Sequence, residues 1–90
     1  MRLSPHVKAK IPKKLALQKR IGKRVRTLRT QHGWSQTELA HKIQMSKPWL
    51  QNLEYGSFLP PVHYLLELAA VLQTDLGVLC GGQRPDALED

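Results

Sequence analysis

Ninety residues, 41% of them hydrophobic, make one small domain with a modest core and too little mass for a thick-walled catalytic cleft. A single cysteine, Cys80, excludes an intrachain disulfide and suits a reducing compartment, and no run of about 18 apolar residues is present to span a membrane. The net charge of +7 is unevenly placed, because residues 1–30 hold eleven of the fourteen Lys and Arg and none of the seven acids.

The first twelve residues carry scattered lysines and two prolines, Pro5 and Pro12, without apolar rhythm, which predicts a flexible basic arm. They lack the apolar stretch of a secretory leader, so the expected location is cytoplasmic. Beyond Lys13 the pattern turns helical. Ile21, Val25, Leu28 and His32 share one helical face, and Leu17 continues it one turn earlier. The fixed φ of Pro12 suits a first turn near that residue, and Gly33 supplies a stop. Ser35-Gln36-Thr37-Glu38 is a capping box: the Ser35 hydroxyl accepts from the Glu38 amide while the Glu38 carboxylate reaches back to the Ser35 amide. Trp34 and Leu39 flank it as a hydrophobic staple, which places Trp34 in the core. Leu39, Ala40 and Ile43 form the inner face of a short second helix ending near Gln44.

Ser46 caps a third helix, with Lys47 and Pro48 in its first turn, Leu50 and Leu53 facing inward, and Gly56 at its end. The loop Ser57-Phe58-Leu59-Pro60-Pro61 follows. A fourth helix begins near Pro61 and turns Leu65, Leu68, Ala69 and Leu72 inward. Either Thr74 or Asp75 caps a last short turn in which Leu76 and Leu79 close the core. Gly81-Gly82 interrupts it, and an acidic tail ends the chain. The expected organisation is an arm over 1–12, an all-α domain of five helices over 13–82, and a polar tail over 83–90.

The connection between the second and third helices is so short that the two must cross steeply. Ala40 is small enough to permit a close approach, and Met45 can plug the turn from inside. The third helix is then left exposed, with Lys47, Pro48, Gln51, Asn52 and Tyr55 pointing outward. A protruding helix of this size matches the major groove of B-DNA, about 12 Å wide. The basic N-terminal third suits a polyanion, although a solvated tail or an anionic membrane surface touched by Leu15, Leu17 and Ile21 would account for the charge alone.

Over roughly Lys19–Cys80 the chain resembles the Cro/lambda-repressor helix-turn-helix family, of the xenobiotic-response-element type. The resemblance rests on Ser35–Ala40 ("SQTELA"), the inward Leu50 and Leu53, Leu53–Gly56 ("LEYG"), and Leu65–Leu72 ("LLELAAVL") followed by Asp75-Leu76. It implies a compact five-helix, lambda-repressor-like DNA-binding domain with an added basic arm. It also implies roles for individual residues. Arg29 and Glu54 become an ion pair tying the first helix to the third, with Arg29 also within reach of a phosphate. Ser35 and Gln36 become a phosphate anchor at the start of the second helix, or simply its cap, and Gln36 is left free once Ser35 caps. Lys47, Pro48, Gln51 and Asn52 take the base-reading positions. Lys47 suits guanine O6 and N7, Asn52 suits adenine N6 and N7, and Pro48 suits a thymine methyl. Ser46, Trp49, Tyr55 and Ser57 fall at the DNA backbone, with the amides around Gly56 and Ser57 on the far groove lip. Trp49 is expected to be half packed against Leu53, Ile43 and Met45, with its indole N–H turned to a phosphate.

Three departures from the family are visible. Gln44 stands where glycine is usual, which predicts a turn built differently. The loop after the third helix has no Lys or Arg. The basic arm is longer than the family's core, and can lie along the backbone or enter a minor groove.

His6, His32, His41, His63 and Cys80 lack metal-site spacing, and no nucleophile, phosphate-loop or dinucleotide signature occurs. Neither an enzyme nor a metal or cofactor is expected. The expectation is a sequence-specific double-stranded-DNA-binding regulator of transcription, a repressor, acting as a homodimer. Its candidate dimer contacts are Leu76, Val78, Leu79 and the tail, or Leu15 and Leu17. The alternative is an antitoxin-like module that holds a protein partner such as a toxin and binds its own operator. In a third reading the arm binds RNA or an anionic membrane.

Overall fold

The computed structural model describes the backbone of residues 5–80 and the side chains of residues 14–80. The expected tail, the Gly81-Gly82 stop and the side chains of the arm lie outside the described residues. Five helices and no strand make up the described chain: α1 (Pro5–Gln31), α2 (Gln36–Lys42), α3 (Lys47–Tyr55), α4 (Val62–Val71) and α5 (Leu76–Leu79). The all-α, five-helix expectation is met.

The first helix departs from the start expected at Pro12, since α1 runs from Pro5 straight through that residue. Lysine and alanine, both strong helix formers, fill the segment around it. Pro12 leaves the carbonyl of Lys8 without the helical amide that another residue would offer.

Four helix ends are built alike. After α1, α2, α3 and α4 the chain enters the left-handed region at Gly33 (φ 78), Gln44 (φ 58), Gly56 (φ 85) and Gln73 (φ 61). In each case two amides fold back on the helix. Gln44 N donates to His41 O at 3.1 Å and Met45 N to Ala40 O at 2.9 Å, and Gln73 N and Thr74 N do the same to Ala70 O and Ala69 O. These are Schellman ends, which satisfy carbonyls that the helix leaves orphaned. The expectation of a differently built turn at Gln44 is therefore overturned. The paired amide bonds, and Met45 packed on the core, hold the backbone in a conformation that costs a non-glycine residue about 1–2 kcal/mol. Two residues after three of these four positions comes a cap. Ser35 accepts from Glu38 N at 3.0 Å, Ser46 from Trp49 N at 3.2 Å, and Asp75 from Val78 N at 2.8 Å. Of the two candidates at the start of α5, Asp75 is thus the cap.

The core gathers Ile21 and Val25 of α1, Leu39 and Ala40 of α2, Leu50 and Leu53 of α3, and Leu65, Leu68 and Ala69 of α4, closed by Ile43, Leu72 and Leu79. Each fully buried leucine contributes about 1.5–3 kcal/mol. Val78 and Leu79 are buried within the chain, so they are withdrawn as dimer contacts; Leu76 is half-buried.

α3 packs on both α1 and α2. Its approach to α1 depends on Gly22, where an added Cβ would stand 2.5 Å from Leu53 O and 2.6 Å from Glu54 O. The buried Gln18 fastens the end of α3, its amide donating to Gly56 O at 3.2 Å.

Two substitutions should move stability in opposite directions. Gln44→Gly relieves the left-handed strain and should raise unfolding stability by about 1 kcal/mol, less the extra chain entropy of glycine. Gly22→Ala forces α1 off α3 and should lower it by roughly 1–3 kcal/mol. Urea unfolding of both variants reads the two signs.

Candidate nucleic-acid interface

Helical periodicity gives α3 two faces. Leu50 and Leu53 are buried, while Lys47, Pro48, Gln51, Asn52 and Tyr55 are exposed along the other side, Tyr55 at 78%. Ser46, also exposed, is held as the cap of α3.

Trp49 is half-buried and packed on the core. The half-packed state expected of it is met, and its ring has two aromatic partners that the spacing does not predict. They are Phe58 of the following loop, edge-on at 5.6 Å between centroids, and Tyr64 of α4 at 5.2 Å. The loop folds back over the first turn of α3, which brings these aromatic neighbours from downstream.

The inner side of α3 is locked by charge. The Arg29 guanidinium meets the Glu54 carboxylate in a fork, Nε donating to Oε2 at 2.6 Å and Nη2 to Oε1 at 3.0 Å. Arg29 Nη1 also donates to Trp34 O at 2.8 Å, on the segment between α1 and α2. Gln36 closes the network, its amide donating to Glu54 Oε1 at 3.0 Å. Gln36 is therefore not free once Ser35 caps; it ties the start of α2 to α3. The side chains of Arg29 and Glu54 are 10% and 4% exposed, which removes most of the solvent that would screen them.

Ser35 forms both bonds of the capping box, its own amide donating to Glu38 Oε1 at 2.7 Å. At the far end of α3, Gly56 N donates to Leu53 O and Ser57 N to Asn52 O, each at 3.0 Å. Those amides are spent on the helix end, so the expectation that they meet a DNA backbone is withdrawn, and the exposed Ser57 keeps its hydroxyl. Trp34 is half-buried on the core, stacked on His32 with centroids 4.3 Å apart and Lys42 Nζ 4.5 Å from its ring. The His32 Nε2–H donates to Leu72 O at 3.0 Å, joining the ends of α1 and α4.

Beside the exposed face of α3 lies an open groove of about 390 Å³, lined by Arg26, Arg29, Gln36, Gln51, Glu54 and Tyr55. Lys19 extends it, with Nζ 5.6 Å from the centre of the Tyr55 ring. Lys19, Gln18, Gly22 and Arg26 escaped the sequence reading. A glycine inside a helix was the available signal, because it is unfavourable there unless another backbone comes close. Among the described residues no group of three or more His, Cys, Asp or Glu could hold a metal ion, and no helix is long and apolar enough to cross a membrane. Partial burial pushes the Cys80 thiol pKa up.

Residues 20–79, two-thirds of the chain, match a family described as a helix-turn-helix domain. The chain is also similar to the ImmF control region 10 kDa protein of Bacillus phage phi105, at 33% identity over 61 residues that cover 68% of each protein.

Removing one member of the buried pair strands the other. Glu54→Ala should cost roughly 3–5 kcal/mol, whereas Gln36→Ala should cost about 1 kcal/mol because Arg29 still neutralises Glu54. Replacing both partners at once, Arg29→Met with Glu54→Leu, should recover most of the loss. Denaturant midpoints of the three variants measure the difference.

Proposed function

The chain belongs to the helix-turn-helix domain family, and from that premise we propose that it is a non-enzymatic regulator of transcription that reads double-stranded DNA with α3. The observation that carries this is the two-sidedness of α3. Its inner face is locked by Leu50, Leu53 and the Arg29–Glu54 fork, and its outer face presents Lys47, Pro48, Gln51 and Asn52 to solvent. Nine residues make a helix about 14 Å long. A rod of that length, held at a fixed angle, fits a major groove about 12 Å wide.

In this proposal Lys47 donates to guanine O6 and N7. Asn52, and Gln51 one residue before it, offer an acceptor and a donor to adenine N6 and N7, while Pro48 meets a thymine methyl. Ser35, Gln36, Ser46, Trp49, Tyr55 and the Ser57 hydroxyl flank these residues and serve the DNA backbone, which sets register without reading sequence.

One such module touches few bases, so we assign it a homodimeric state on a two-fold-related operator, with half-sites about 34 Å apart. The relative from phage phi105 is named for a control region, and on that likeness we assign this chain a repressor's role, in the cytoplasm with the operator. A second reading rests on Leu59, Val62 and Leu66, which are exposed three and four residues apart around the start of α4. An exposed apolar group of this kind suits a protein partner. That partner is a second copy in the dimer, or a toxin in the antitoxin-like alternative. Stable co-purification with an unrelated chain, without duplex binding at low salt, would favour the alternative.

Selection of duplexes from a random pool supplies the operator and the test. Asn52→Ala should weaken binding to the selected duplex by roughly 1–3 kcal/mol and leave binding to random duplex nearly unchanged, while Lys47→Ala, which also removes a cation, should weaken the selected duplex more than the random one. Equal losses on both duplexes would show that α3 reads no bases.

A further inference from the structure

We infer that α1, and not the loop after α3, grips the DNA phosphates beside the C-terminal half of α3, through Lys19, Lys23 and Arg26. The inference rests on the DNA-binding proposal above and adds to it the source of the backbone grip on that side.

The need for such a grip is evident from where charge is missing. Lys47 stands at the start of α3, but the rest of its outer face, Gln51, Asn52 and Tyr55, carries no cation. The following loop, residues 57–61, has no base either. A groove-bound helix is flanked by phosphates along its whole length, and most protein–DNA affinity comes from neutralising them. The C-terminal half of α3 therefore needs its cations from elsewhere.

α1 is placed to provide them. Gly22 lets its backbone press directly onto α3 at Leu53 and Glu54, and at Gly56 an added Cβ would meet Lys19 Cα at 2.9 Å. On the solvent side of that contact, Lys19 reaches over the Tyr55 ring, and Arg26 lines the groove with Gln51 and Tyr55. Lys23 lies between them on the same face, one helical turn from each. All three are exposed. The Glu54 carboxylate in the groove does not cancel them, because Arg29 and Gln36 already occupy both of its oxygens. No acid occurs anywhere in residues 1–30. Arg20 is also exposed but points about 100° round the helix from Lys19, away from α3, and serves as the internal control.

The test is the salt dependence of duplex binding, measured on the selected and the random duplex with the full chain. Lys19→Gln/Arg26→Gln keeps much of each aliphatic stem at exposed positions, and an unchanged unfolding midpoint verifies the fold. Each lost phosphate contact should make the slope of log K against log salt shallower by about 0.9. The double variant should therefore lose about 2 in slope on both duplexes, and adding Lys23→Gln should remove about one more. Arg20→Gln should keep the wild-type slope. The inference is overturned if the double variant keeps the wild-type slope, or if Arg20→Gln loses as much as the double variant does. Failure of the parent proposal looks different: wild-type protein would not bind duplex at low salt, or Lys47→Ala and Asn52→Ala would fail to separate selected from random DNA.

Discussion

The fork between Arg29 and Glu54 fixes the angle at which α3 leaves the body of the domain. Each partner alone would be a buried charge without compensation, so neither α1 nor α3 can rotate about its axis without breaking two short hydrogen bonds at once. The same guanidinium reaches the Trp34 carbonyl and the same carboxylate accepts from Gln36, which brings the start of α2 into the constraint. Three helices thus converge on one carboxylate. Replacing the network by apolar side chains of similar volume would preserve packing but would loosen this directional restraint, since dispersion contacts have no preferred angle. For the base-reading role proposed for α3, orientation is the property that matters.

Around that point the local features were legible and the non-local ones were not. Ser35, Ser46 and Asp75 cap their helices because a short oxygen side chain reaches an amide three residues on, a relation contained within one turn of chain. Leu50 and Leu53, or Leu65, Leu68 and Ala69, face inward by simple periodicity. The partners of Trp49 follow no such rule. Phe58 and Tyr64 meet it only because the loop doubles back, and nothing in the spacing specifies that path. Gln44 misled for another reason. Propensity assigns glycine to a left-handed position, but two amide bonds and the packing of Met45 outweigh a penalty of about 1–2 kcal/mol. The start of α1 was misplaced because a proline was given the meaning it has at helix starts, while its neighbours favour helix on both sides.

The candidate interface divides along the same line. The outer face of α3 could be read from its own register, residue by residue. The spent amides of Gly56 and Ser57 could not, because their bonds run to the helix end and not to a partner. Nor could the approach of α1, whose Arg26 and Lys19 lie 29 and 36 residues before Tyr55 and which comes so near only because Gly22 lacks a side chain. Charge composition showed that the N-terminal third is basic; only the packing shows which of those bases stand beside α3.

The uneven charge has a kinetic meaning as well. With most of its bases in the first thirty residues and all of its acids later in the chain, the protein's charge is polarised along its sequence as well as net positive. In the proposed complex, the field of the polyanion would draw the basic α1 toward it first, and α3 held against α1 with it. Encounters then begin near the productive orientation, and electrostatic steering of this kind raises association rates by about 10- to 1,000-fold at low ionic strength. Much of what salt takes away from this domain would on that account be speed of arrival, lost before any base is read.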